Sequence, residues 1–238
     1  MKNTAKLLLG LFIIFVASSC VIAEGIEGNG NVIKKKIEIT EDFNAITVSQ
    51  GINVILTQNS IVSVEAEMDE NLFALLETKV INNELKISFK KNIKKSTKRT
   101  VYISVKEIVA LSVSSAARIK GTNKLNIENL ILNTSSAGKI ELDLIANSIN
   151  SNISSASKIN LKGSCQICNI EASSGSKFEA KELKAKQVVA KASSAAKIQI
   201  FATESIDAKS SSAANIICYG NPQKRNASKS SAGSIVFE

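Results

Sequence analysis

One phrase recurs seven times along this chain: VSSAARIKG from Val113, TSSAGKIEL from Thr134, ISSASKINL from Ile153, ASSGSKFEA from Ala172, ASSAAKIQI from Ala192, SSSAANIIC from Ser210 and KSSAGSIVF from Lys229. The first serines of these phrases (Ser114, Ser135, Ser154, Ser173, Ser193, Ser211 and Ser230) are spaced by 21, 19, 19, 20, 18 and 19 residues. A period near 19 means stacked units, each too small to bury its apolar side alone.

The columns of the repeat say what the units are. Five places after the first serine stand Ile119, Ile140, Ile159, Phe178, Ile198, Ile216 and Ile235, which reads as a buried ladder. Five places before it come Val109, Leu130, Ile149, Cys168, Val188 and Ile206, broken at Arg225. The two columns lie an even number of residues apart, which is the side-chain period of a strand. Units rich in Ser, Asn, Ile and Val favour strands over a pair of short helices. The expected fold is therefore all-β: a right-handed parallel β-solenoid with turns of about 19 residues, rungs about 4.8 Å apart, and two or three faces. Two places after the serine the residue is always tiny (Ala116, Ala137, Ala156, Gly175, Ala195, Ala213, Ala232), which lets the backbone turn tightly, and the paired serines are expected to stack as hydroxyl ladders.

An earlier unit has the same shape, with Ser49 in the serine place, Gly51 in the tiny place and Val54 in the buried place. The solenoid thus has a first turn near 43–56, an insertion over 57–108 and regular repeats over 109–238. Within the insertion IVSVEAE alternates as a strand, DENLFALLE suits a short helix, and KVINNELKISF reads as a hairpin turning at Asn82-Asn83. Ahead of the domain, Lys2 and Lys6 precede an apolar run from Leu7 to Ala17 and small residues before Cys20. Residues 1–19 read as a lipoprotein signal peptide, Cys20 as the lipidated residue, and 20–30 as a flexible tether to a single domain over 31–238.

The segments EDFNAITV and SQGINVIL, the Gly28-Asn29-Gly30 run, the ELKISF hairpin and the serial SSA/SSG turns resemble the bacterial head GIN domain family, labelled putative auto-transporter adhesin. The resemblance spans roughly residues 28–238. It implies a β-solenoid on an envelope-associated protein, often a lipoprotein of Bacteroidetes-like bacteria, and no catalytic residues.

Composition narrows the chemistry. There is no His and no Trp among 238 residues, so His-based nucleophiles, bases and metal sites are out. Cys165-Gln166-Ile167-Cys168 spells C-x-x-C, but the chain offers no second such pair, and the two cysteines fall in core columns. Gly25, Gly28 and Gly30 lack the strand and helix that a phosphate loop needs. The four Asp (Asp42, Asp69, Asp143, Asp207) do not stack, and Glu141 and Glu179 share a column two turns apart, leaving no catalytic carboxylate pair. No cofactor is expected.

Charge supplies the positive expectation. Lys and Arg total 30 against 21 acids, a formal charge of +9 that becomes +7 once Lys2 and Lys6 leave with the signal. Two basic features stand out: Lys90, Lys91, Lys94, Lys95, Lys98 and Arg99 in one loop, and Arg118, Lys139, Lys158, Lys177 and Lys197 in one outward column. The reading is a non-catalytic, adhesin-like module of the cell envelope, held at the outer membrane by its lipid on the periplasmic or surface side. Those residues would contact an acidic polysaccharide, lipopolysaccharide or a surface protein, not nucleic acid. A scaffold or sensor lipoprotein is the alternative, and a carbohydrate-active enzyme the weaker one. The terminal unit puts Arg225 and Lys229 in mostly apolar or small columns, which suits a monomer or weak homo-oligomer.

Overall fold

The computed structural model describes residues 24–238. The lipoprotein signal and Cys20 lie outside the described residues. The strands in chain order are β1 (Ile26–Glu27), β2 (Val32–Lys36), β3 (Ala45–Val48), β4 (Asn53–Gln58), β5 (Ser63–Asp69), β6 (Leu76–Ile81), β7 (Glu84–Phe89), β8 (Ile93–Lys95) and β9 (Arg99–Val105). They continue as β10 (Ala110–Val113), β11 (Arg118–Thr134), β12 (Lys139–Ile153), β13 (Lys158–Ala172), β14 (Lys177–Ala192), β15 (Lys197–Ser210), β16 (Asn215–Tyr219), β17 (Lys224–Lys229) and β18 (Ser234–Phe237). They stack as a parallel β-solenoid of about 7 turns, as the repeat predicts.

Each regular coil is one long, bent strand closed by a four-residue corner. Neighbouring coils pair in register, so Ile119, Ile140, Ile159, Phe178, Ile198, Ile216 and Ile235 form one continuous column. All seven are buried. Burying such a side chain contributes about 1.5–3 kcal/mol, so the column is a principal source of stability. The second apolar column is buried from Leu130 to Ile206, but Val109 at its head is 39% exposed, and Ile108 is buried beside it instead.

The corners explain the SSA phrase. Ser115 and Ala116 have φ of 50° and 60°, and Ala117 N–H donates to Ser114 C=O at 3.0 Å, which is a type I′ turn. Two successive left-handed residues favour small side chains, and the same pairs recur at Ser136-Ala137, Ser155-Ala156, Ser194-Ala195, Ser212-Ala213 and Ser231-Ala232. The tiny residues themselves face solvent, whereas the residues after them (Ala117, Gly138, Ser157, Ser176, Ala196, Ala214) point inward and are buried. What joins the corners is backbone rather than the hydroxyl ladder expected from the sequence. Ala116 N–H donates to Ser136 C=O at 2.9 Å, Ala137 N–H to Ser155 C=O at 3.0 Å and Ala156 N–H to Ser174 C=O at 3.0 Å.

Elsewhere the coil bends where alternation slips. Two successive outward residues at Asn147-Ser148, Gln166-Ile167 and Lys186-Gln187 mark one bend. Lys181-Glu182 and the register shift between Lys120 and Lys124 mark another, where coil length varies. With the serine corner this makes three runs per coil. Gly163, at φ 111°, sits in the bend of its own coil, where an added Cβ would lie 1.9 Å from Leu144 C=O.

The segment 57–108 is less an excursion than an end-piece. Strand β7 pairs parallel with β3, and β9 with β4, so residues 84–105 add one more rung to the stack. Antiparallel β6, β5 and β2 then close the edges, and a 3-10 turn over Glu70–Leu75 buries Leu72. The hairpin turns at Asn82-Asn83 with φ of 53° and 62°, as the sequence predicts. The tether expected over 20–30 is, in its described part, a docked segment: β1 pairs with β8, and Gly30 N–H donates to the buried Asp69 carboxylate at 2.7 Å. Hydrogen-bonding groups supplied by the insertion hold it there. Among the described residues nothing comparable covers β17, every residue of which is exposed.

Candidate binding surfaces

The structure joins the two basic features at one edge. The Lys90–Arg99 loop links β7 to β9, so it occupies on its rung the place of the serine corner on later rungs. Below it the column runs Thr100, Asn53, Arg118, Lys139, Lys158, Lys177 and Lys197 in unbroken register. Carboxylates consume part of this charge. Lys139 pairs with Glu141, Lys158 with Glu179 at 2.7 Å, Lys94 with Glu27 at 3.2 Å and Lys98 with Glu67 at 2.7 Å. The Lys98 ammonium and the Tyr102 hydroxyl hold the Glu67 carboxyl below its usual range, and Glu67 in turn raises Lys98. Arg99 donates to Gln50 C=O at 3.2 Å, the carbonyl that a preceding corner would otherwise engage, so it caps the corner ladder. Among the described residues Lys90, Lys91, Lys95, Arg118, Lys177 and Lys197 form no ion pair.

On the other side of the same corner lies a surface that the sequence reading missed: a groove of about 800 Å³ along the solenoid axis. Its one wall is the first-serine column, including Ser135, Ser154 and Ser173. The other is the column two residues earlier, which runs in register from Thr47 through Ser112, Asn133, Asn152, Glu171, Lys191 and Lys209 to Ser228. Asn152 donates its amide to Asn133 at 3.2 Å, and Lys191 pairs with Glu171 at 2.8 Å. A register-by-register comparison of the column before the buried one would have shown its polar run, but not that the chain is concave there.

The other candidates are structural. Cys165 and Cys168 are both buried, facing the core in columns shared with Ala146 and Ala185 and with Ile149 and Val188. The Cys168 thiol lowers Cys165, while Cys165 and burial together push Cys168 well up and burial raises Cys218; all three are buried, as core residues rather than accessible thiols. Asp143 faces Lys124 and Lys162, and Asp207 faces Val189 and Asn226. Among the described residues there is no cluster of metal-ligating side chains, and no helix is long and apolar enough to cross a membrane.

Known structures share this architecture. A crystal structure of a putative adhesin from Bacteroides fragilis NCTC 9343 superposes with a TM-score of 0.83 at 24% identity, covering 90% of this chain and 100% of that one. A putative lipid binding protein from Parabacteroides distasonis ATCC 8503 gives 0.76 at 21% identity, covering 90% and 100%. A putative adhesin from Parabacteroides merdae ATCC 43184 gives 0.71 at 22%, covering 91% and 100%. At these identities the likeness is one of fold. No curated protein matches the chain. The family model described as "Putative auto-transporter adhesin, head GIN domain" matches residues 42–222, and with the GIN turn and the serine corners both in place, the chain belongs to that family.

Proposed function

We propose that this protein is a non-catalytic binding module of the cell envelope, tethered by a lipid on Cys20 at the outer membrane, that holds an acidic polysaccharide or lipopolysaccharide against its basic edge. The observation that carries this reading is the register of Arg118, Lys139, Lys158, Lys177 and Lys197 on five successive rungs, beneath the Lys90–Arg99 loop at the same corner. Carboxylates offset Lys139 and Lys158, so the neighbouring pair left uncompensated is Lys177 and Lys197, which at about 4.8 Å repel by roughly 0.9 kcal/mol in bulk-water dielectric. An extended polyanion relieves that repulsion and releases counterions, whereas a neutral chain does neither. The family's adhesin label and the scarcity of paired carboxylates support binding rather than turnover.

The test is binding of the purified protein to lipopolysaccharide and to an acidic polysaccharide across a salt series. Affinity should fall steeply with salt, and Arg118→Glu with Lys177→Glu and Lys197→Glu should weaken it while the melting temperature holds. Salt-independent binding, or an unchanged triple variant, would overturn the assignment. Separately, Cys20→Ala should move the protein out of the membrane fraction, and retention there would refute the anchor.

A further inference from the structure

We propose that the serine groove is a binding site for an extended, neutral glycan chain, distinct from the basic edge across the corner. The groove is periodic, one pair of lining positions per rung. Its outer wall advances seven steps from Thr47 to Ser228, which at about 4.8 Å per rung spans roughly 34 Å. That length suits a polymer rather than a compact ligand, and its volume of about 800 Å³ is that of a true cleft.

The lining selects the class of polymer. Hydroxyls and amides present donors and acceptors of both kinds at every rung, which is what a polyhydroxylated chain requires. Asn152 spends one N–H on Asn133, leaving its own carbonyl and the Asn133 amide N–H groups free to meet a ligand. An acyl chain would strip water from these groups and return no hydrogen bonds. A peptide strand has no edge to join, because the corner backbone is already bonded rung to rung, as in Ser154 N–H to Thr134 C=O at 3.0 Å and Ser173 N–H to Ile153 C=O at 2.9 Å. A polyanion finds one uncompensated cation, Lys209, along the whole groove, since Glu171 and Lys191 neutralise each other. A sugar residue advances along an extended chain by nearly one rung, so successive residues each meet a serine of the first-serine column.

The experiment measures binding of the purified protein to neutral oligosaccharides, using cello-, laminari-, manno- and chito-series from dimer to octamer at low and high salt. At least one series should bind, with affinity that rises with chain length and is unchanged by salt. Asn133→Ala with Asn152→Ala, at a half-buried and an exposed position, should weaken binding at least about tenfold, as should the blocking pair Ser154→Leu with Ser173→Leu. The basic-edge triple variant should bind as the parent does. Failure of all four series, affinity independent of length, or unchanged binding by both folded groove variants overturns the proposal. A loss confined to the basic-edge variant also overturns it, whereas failure of the polyanion assay alone leaves the groove's result standing.

Discussion

Asp69 fastens the N-terminal end of the solenoid, and removing its carboxylate should loosen that end in a measurable way. The side chain is fully buried, and it accepts hydrogen bonds from Gly30 N–H at 2.7 Å, Thr97 N–H at 2.9 Å and Lys98 N–H at 3.1 Å. Two segments far apart in sequence, the β1–β2 connection and the end of the basic loop, thus meet on one residue. Hydrogen bonds to a charged group contribute about 1.5–3 kcal/mol each, and water can recover part of that at exposed Gly30 and Thr97, so Asp69→Ala should cost about 3–4 kcal/mol. Hydrogen exchange should show lost protection over 24–36 and 93–99, and urea unfolding should show the lower midpoint. A loss below about 1 kcal/mol with unchanged exchange would refute the reasoning. Acid provides a second readout. Burial alone would raise this carboxyl, but the N–H groups of Lys98, Gly30 and Thr97 outweigh it and hold it below its usual value. Its contribution is therefore complete above the ordinary carboxylate range and fades as pH falls through the lowered value. Asp69→Asn should remove that acid dependence.

Three further outcomes follow from the geometry. Gly163→Ala should cost several kcal/mol or prevent folding, since its φ is 111° and the new Cβ meets Leu144 C=O at 1.9 Å, whereas Gly175→Ala should stay within about 1 kcal/mol of the parent in thermal melts. No atom lies within 4 Å of the Cβ at Gly175, and other corners already carry alanine there. Phe178→Ala, in the middle of the buried column, should lose about 3–5 kcal/mol in chemical denaturation, and a loss under 1 kcal/mol would mean that the column is not tightly packed. Arg225→Val with Lys229→Val should promote self-association in sedimentation runs, because these residues put charge on the exposed strand β17 and the Arg225 guanidinium covers the Phe237 ring at 5.1 Å.

Much of this molecule is legible in one dimension because a solenoid is nearly one-dimensional. When each coil touches only its neighbours, a column in the alignment is a column in space, so the Ile119-to-Ile235 ladder, the small corners and the Arg118-to-Lys197 series could be read directly. The Asn82-Asn83 hairpin was equally legible, since two left-handed residues mark that turn by themselves. Wherever contacts join residues distant in sequence, the pattern fell silent. Nothing in the apolar spacing announces that Asp69 gathers Gly30, Thr97 and Lys98, that residues 84–105 stack on 45–58, or that Arg99 caps the corner ladder. The groove belongs to the same class. The sequence determines that its two polar columns face outward, since alternation alone decides which side of a strand a residue takes. Only the tertiary bend at the serine corner turns them toward each other, because concavity is a property of the backbone path and not of the pattern it carries.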